Sequence, residues 1–391
     1  MIKQEINELK RLYTPSNCSI TRICGCYVDG EKNKKTEFKE AFLSLPEEEI
    51  FKYFELLRKT LSGSLGKNLL NLDFPLASEQ EGGTQAALLA LRDSKLKDDA
   101  LIEEFYDRVI NTYEYVGNYL ILLIHDAYDV PGKTTDGLTM DDASDTVFEY
   151  IMCCICPVNL SKPGLSYDNI NNEFHNRIRD WVVEMPETGF LFPSFNDRAT
   201  DIHSTLFYSK NPEEAHSEFV ENILGCTLPL SAGTQKEAFQ ALIEETLGDE
   251  VEYEVVKNIH ENLTEMIEEH KEIPEPLTLD KHQVKSLFEK SGVKEEKLTD
   301  FDKLYDAAAG EDTSLFVNNV ANVRTFEVKT PDVVVKVNPE RADLVNTLQI
   351  DGKRCLVIEI NDHVEVNGIT IHQSVSLEDV ADEEEEKIRK C

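Results

Sequence analysis

The chain has no run approaching the ~18 to 20 consecutive apolar residues that a membrane-spanning helix needs. Its opening, MIKQEINELKRLY, alternates charges where a signal peptide would carry an apolar core, so a cytoplasmic protein is expected. A secreted disulfide framework is also missing: the nine cysteines are odd in number, Cys153 and Cys154 are adjacent, and reduced thiols are the expectation. Positive charge is scarce, with 40 Lys and Arg against 75 Asp and Glu for a net −35. Strong direct DNA binding is therefore not expected, because counterion release from neutralised phosphates requires a basic face. The signatures G-x-S-x-G and H-E-x-x-H are absent. The run Gly63 to Asn68 approaches a phosphate loop, but the pattern's first glycine falls on Leu61, its Ser/Thr on Asn68, and a helix precedes it where a strand should.

What is present suits a globular protein: 391 residues, 41% hydrophobic, can bury a full core and fill two or three domains. The charge is uneven, since residues 1–40 carry net +2 and the remainder −37. Any nucleic-acid contact would start there, although a solvated helix and turn with ordinary surface lysines explains so thin a cluster.

The central stretch is Tyr119 to Pro131, YLILLIHDAYDVP: six apolar residues, then His125, Asp126 and Asp129. It reads as a core strand that surfaces among polar groups. Before it, Ile2, Ile6, Leu9 and Leu12 predict a helix, and Ser19 to Val28 a strand running into an Asp29-Gly30 turn. A helix starting at Ser44 to Glu47 should bury Ile50, Phe51, Phe54, Leu57 and Leu61, and residues 84–116 hold two more. After it, Thr146 to Val158 reads as the paired strand of a long hairpin whose acidic tip holds Asp136, Asp141, Asp142 and Asp145. Asp180 to Phe192 suggests another hairpin turning at Pro186 to Gly189, and Ile202 to Tyr208 a further strand, giving at least five, mainly antiparallel.

Asn211 opens a helix that Gly225 stops, and a capping box at Thr234 to Glu237 opens a helical region. Residues 237–272 hold 12 acids and two lysines yet keep an apolar stripe, which marks a solvated amphipathic helix. Asp280 with Gln283 caps a helix closed by Ser291-Gly292, and a second follows before Gly310; acids on the latter make it a poor groove reader. From Thr325 short strands with Asp351-Gly352 and Asn367-Gly368 turns form a small β unit. The expected fold is α+β: a mainly antiparallel sheet with flanking helices over 1–230, an acidic helical segment over 231–324, a small β domain over 325–378 and a charged tail over 379–391.

Two constellations carry possible chemistry. Cys24/Cys26 and Cys154/Cys156 each project from one face of a strand, so neighbouring strands would bring four thiolates together as a zinc site. Two-residue spacing on a flat strand splays such ligands, and cysteine also packs well with no other role. His125, Asp126, Asp129 and Asp141 form a candidate polar site, with Asp142 and His175 as further hard-metal ligands. Alternation puts His125 and Asp126 on opposite faces, so spacing alone implies no dyad.

The segments NCSITRICGCYVDGEKNK, NYLILLIHDAYDVPGKTTDG and VKTPDVVVKVNPERADLV, with QIDGKRCLVIEINDHVEVNGI, closely resemble an uncharacterised bacterial family, domain of unknown function 4317, across the whole chain. That resemblance implies no activity. The order of elements from Ile178 onward is similar in layout to the bacterial nucleoid-associated protein family, which implies a non-enzymatic protein working with the chromosome or with proteins that handle it. At −35, that points to protein partners or an acidic DNA mimic rather than DNA wrapping. The resulting expectation is a non-enzymatic interaction protein without membrane association; the alternative is a metal-dependent enzyme or zinc-binding module.

Overall fold

A computed structural model describes residues 1–133, 139–248, 251–322, 325–360, 364–366 and 369–371, with backbone alone at 133, 139–145 and 371. Its centre is a mixed-length antiparallel sheet ordered β2-β1-β4-β5-β9-β12-β3. The strands are β1 (Ile20–Val28), β2 (Lys34–Ala41), β3 (Leu69–Asp73), β4 (Asn118–Lys133), β5 (Thr139–Leu160), β9 (Thr188–Phe192) and β12 (Ser204–Ser209). β8 (Trp181–Val183) pairs with β5 beyond the end of β9. Two small hairpins complete the series, β6 (Leu165–Asp168) with β7 (Glu173–Asn176), and β10 (Ser194–Asn196) with β11 (Ala199–Asp201).

β4 is continuously apolar because both faces of the sheet are covered. Tyr119, Ile121 and Leu123 pack in a core with α3 (Thr84–Asp93) and α4 (Asp99–Thr112). Leu120, Leu122 and Ile124 pack in a second core with α1 (Lys3–Leu12) and α2 (Glu47–Thr60). On α2, Leu56 takes the buried place expected of Phe51, which is exposed.

The expected hairpin over residues 180–192 does not form: β8 and β9 both pair with β5, one after the other along its edge. Gly189 lies inside β9, where a Cβ would press on the Cys153 carbonyl. Glycine there marks close strand approach, not a turn.

A third core gathers residues of the helices Ala232–Leu247, Tyr253–Glu269, Lys281–Lys290 and Phe301–Ala308. The first is capped by Ser231, whose Oγ accepts from the Thr234 N–H, three residues before the expected box. Asp280 and Gln283 do form their reciprocal capping box. These helices join the sheet's neighbourhood through Asn319, whose Nδ2 donates to the Gly66 carbonyl at 2.9 Å, and Phe316, whose ring fills the space a Gly66 side chain would need. From 326 on, the described strands form three separate hairpins, Phe326–Lys329 with Val334–Val337, Val345–Ile350 with Lys353–Ile358, and Val364–Val366 with Ile369–Ile371. No helix of the described residues is long and apolar enough to cross a membrane.

Candidate functional site

The polar end of β4 is buried, and its two leading residues face different cores. His125 is fully buried on the α3/α4 side, where Thr21 Oγ1 lies 2.8 Å from its Nδ1. The same hydroxyl donates to the His125 carbonyl at 3.3 Å, which lets Nδ1–H donate to it; the other ring nitrogen is Nε2. That nitrogen stands 4.0 Å from Glu149 Oε2 and has no hydrogen bond among the described residues. Glu149 is itself engaged by Lys95 at 2.8 Å. Burial lowers the His125 pKa to about 4; Glu149 opposes that shift, while Lys95, Arg92 and Lys97 add to it.

Asp126 points into the α1/α2 core. It accepts from Tyr150 Oη at 2.6 Å, and Tyr150 Oη in turn lies 3.0 Å from Tyr13 Oη, so three buried polar groups form one chain. The Ala127 N–H supplies a second donor at 2.8 Å. Burial raises the Asp126 pKa, and the Tyr150 hydrogen bond partly offsets it. Asp129 is exposed farther along the strand. The Asp141 and Asp142 side chains lie outside the described residues, and His175 sits on β7, beyond the opposite end of β5. Among the described residues, Glu149 is the acid that approaches His125, and Asp126, Asp129 and His175 do not join it.

The cysteine pairs are held apart as well. Cys24 and Cys26 lie in the α3/α4 core, Cys154 and Cys156 in the α1/α2 core. β4 also stands between β1 and β5, a separation of roughly 10 Å at two strand spacings. The four thiols cannot converge on one ion in this arrangement. Cys154 Sγ instead lies 3.0 Å from Thr60 Oγ1. Burial pushes the Cys26 and Cys154 thiols up to about 12 and raises Cys24 and Cys156 too, which favours protonated sulfur over metal-binding thiolate. No group of three or more His, Cys, Asp or Glu able to hold a metal occurs among the described residues.

Four lysines of the basic N-terminus are paired with acids, three of them with acids from beyond residue 40. Lys34 meets Glu103 and Asp107, Lys39 meets Asp99, Lys32 meets Glu114 and Lys35 meets Asp29.

A feature the sequence reading did not register is a ribbon leaving the sheet. Val158↔Val183, Leu160↔Trp181, Leu165↔Asn176 and Asp168↔Glu173 keep one antiparallel register, bridged by Ser161 N–H to the Asp180 carbonyl and Arg177 N–H to the Gly164 carbonyl. The ribbon extends about 30 Å past Leu160 at the usual strand rise. Its tip is fastened by Asp168, which accepts from the Ile170 and Asn171 N–H groups. Alternation places Leu165, Tyr167, Phe174 and Ile178 on one side, and Lys162, His175, Arg177 and Arg179 on the other. The apolar side faces solvent: Leu165 is 76% exposed, Phe174 72% and Ile178 78%. The weak signal was an alternation of apolar residues, Leu165 with Tyr167 and then Phe174, on either side of an asparagine-rich turn.

Residues 1–369 match the family described as Domain of unknown function (DUF4317), and the chain belongs to that family. Among curated proteins nothing matches the sequence.

Proposed function

We propose that this DUF4317 member acts by protein association rather than catalysis, with the β6–β7 ribbon as its contact surface and a second copy of the chain as the occupant. The observation that carries the reading is the single-register ribbon with an apolar side turned to water. A two-stranded hairpin alone is marginal in water, and a contiguous exposed apolar patch of this kind usually marks an interface.

Charge selects the occupant. Two copies at −35 repel over most of their surfaces, but residues 159–183 balance Lys162, Arg177 and Arg179 against Asp168, Glu173 and Asp180. The ribbon is thus a place where like-charged copies approach at little electrostatic cost. Leu165, Tyr167, Phe174 and Ile178 are 54–78% exposed and offer about 500 Å² of apolar surface per copy, so the ribbon's backbone and polar flanks would supply the rest of the ~800 Å² per partner of a stable interface. A two-fold pairing of apolar sides leaves outward the opposite sides, where Lys162, Arg177 and Arg179 stand with Asp168 and Glu173. Work at the chromosome would then run through protein partners, because Lys32, Lys34, Lys35 and Lys39 already have carboxylate partners within the chain.

Size-exclusion chromatography with light scattering tests this. Phe174→Asp and Ile178→Asp should each halve the mass, whereas Arg177→Asp, on the opposite side, should leave it unchanged. A wild-type chain that already runs as a monomer sinks the reading.

A further inference from the structure

A second feature lies apart from the ribbon and does not depend on it. A cavity of about 930 Å³ opens between α1, the loop after α2, the C-terminal end of the helix Tyr253–Glu269 with the turn beyond it, and the stretch 318–322. Lys3 and Lys10 line it from α1 and Lys67 from the loop, and none of the three has a carboxylate within 4 Å among the described residues. Of the acids in its wall, Glu268 is held by Lys271 at 3.2 Å, which leaves Glu275.

Lys10 is half-buried, and its Nζ donates to Ser62 Oγ at 2.8 Å. Burial lowers its pKa, and the adjacent Arg58 and Lys59 lower it further. Arg58 donates to the Tyr13 carbonyl and sits 5.8 Å over the Phe54 ring, so it brings no acid either. A chain with 75 carboxylates has thus left the lining lysines Lys3, Lys10 and Lys67 without a carboxylate partner, with Arg58 and Lys59 close to Lys10, the reverse of its treatment of Lys32 to Lys39. Like charges gathered this way favour an anion that supplies the missing counter-charge. The side-chain amides of Asn7, Asn318 and Asn322 also line the cavity and make no hydrogen bonds among the described residues, leaving donors to spare.

We infer that this cavity binds a multivalent phosphate, inorganic or esterified. Lysine meets phosphate as a point charge, and cations spread from α1 to the Gly63–Lys67 loop match several linked charges better than one carboxylate. The loop fails as a P-loop in sequence and in its helix-first context; its contribution is the Lys67 ammonium.

Isothermal titration of the full chain at about 0.15 M salt, where long-range repulsion from the acidic surface is screened, reads the outcome. Tripolyphosphate and ATP separate free from esterified phosphate, and citrate is the carboxylate control. Saturable single-site binding of tripolyphosphate, ATP or both is expected, weakened about tenfold by Lys10→Glu and by Lys67→Glu and changed less than about twofold by Lys353→Glu outside the cavity. Lys67 is exposed, so its variant keeps the test open if Lys10→Glu fails to fold. The inference is overturned if neither phosphate saturates, if citrate binds equally well, or if Lys353→Glu weakens binding as much as the cavity variants.

Discussion

His125 should make the native protein acid-sensitive in a defined window. Its ring is fully buried and its pKa lies at about 4, against 6.5 for the free side chain. Above pH 6.5 the ring is neutral in both folded and unfolded chains, and its contribution to stability is fully present. As pH falls from 6.5 toward 4, only the unfolded chain takes up the proton, so stability is lost across that interval. At about 1.4 kcal/mol per pKa unit the loss approaches about 3 kcal/mol. Many carboxylates titrate nearby, so the useful quantity is the difference between wild type and His125→Asn. The Asn amide can pair with the Thr21 hydroxyl as donor or acceptor in place of Nδ1, without titrating. Urea unfolding should be followed by far-UV circular dichroism, because the single tryptophan, Trp181, is exposed beside the ribbon and reports little of the core. The advantage of wild type over the variant should shrink by about 2–3 kcal/mol between pH 7 and pH 4.5. A constant difference would refute the reasoning and would mean that Glu149 closes from 4.0 Å to receive the imidazolium in place.

Asp126 carries the opposite sign. Burial raises its pKa, so the folded chain holds that proton more tightly and its stability falls as pH rises above the ordinary carboxylate range. Asp126→Asn keeps partners for Tyr150 and the Ala127 N–H, and should melt relatively higher than wild type at pH 8 than at pH 5. Asp126→Leu removes the acceptor of Tyr150 Oη and of the Ala127 N–H, leaving Tyr150 only Tyr13, and should cost about 1–3 kcal/mol in denaturant unfolding. Burial should also shield Cys24, Cys26, Cys153, Cys154 and Cys156 from a thiol reagent until denaturant is added, while the partly exposed Cys355 reacts in the native protein and Cys18, its thiol pushed up to about 11 by burial, reacts more slowly. Rapid native labelling of the five, read by peptide mass mapping, would contradict the two-core packing.

Much of the architecture is legible where one residue pattern dictates one local geometry. The apolar run of β4, the Asp280/Gln283 box and the Asp351-Gly352 hairpin appear as their sequences indicate, and alternation correctly sends His125 and Asp126 to different faces. Strand order is another matter. The faces taken by the two cysteine pairs depend on β4 lying between β1 and β5, which no spacing reveals. Gly189 looked like a turn residue because a glycine that permits close backbone approach has the same local signature as one that permits a bend. β3 follows a loop and has only five residues, too short for alternation to stand out. The ribbon escaped because its apolar positions are interrupted by Asp168 to Glu173, a polar stretch that reads as loop unless the pairing across it is known. The phosphate cavity joins α1 to residues near 270 and 320, so only the folded chain brings its cations together.

The association claim meets its most direct test in sedimentation equilibrium of the full chain beside a version whose ribbon is cut back by joining Ser161 to Asp180 through a short glycine-containing turn. Wild type should sediment at twice the 44.5 kDa chain mass and the shortened form at the mass of one copy of its own, smaller chain, with matching circular dichroism. The same number of copies for the two proteins, whether one chain or two, would contradict the ribbon as the contact between copies.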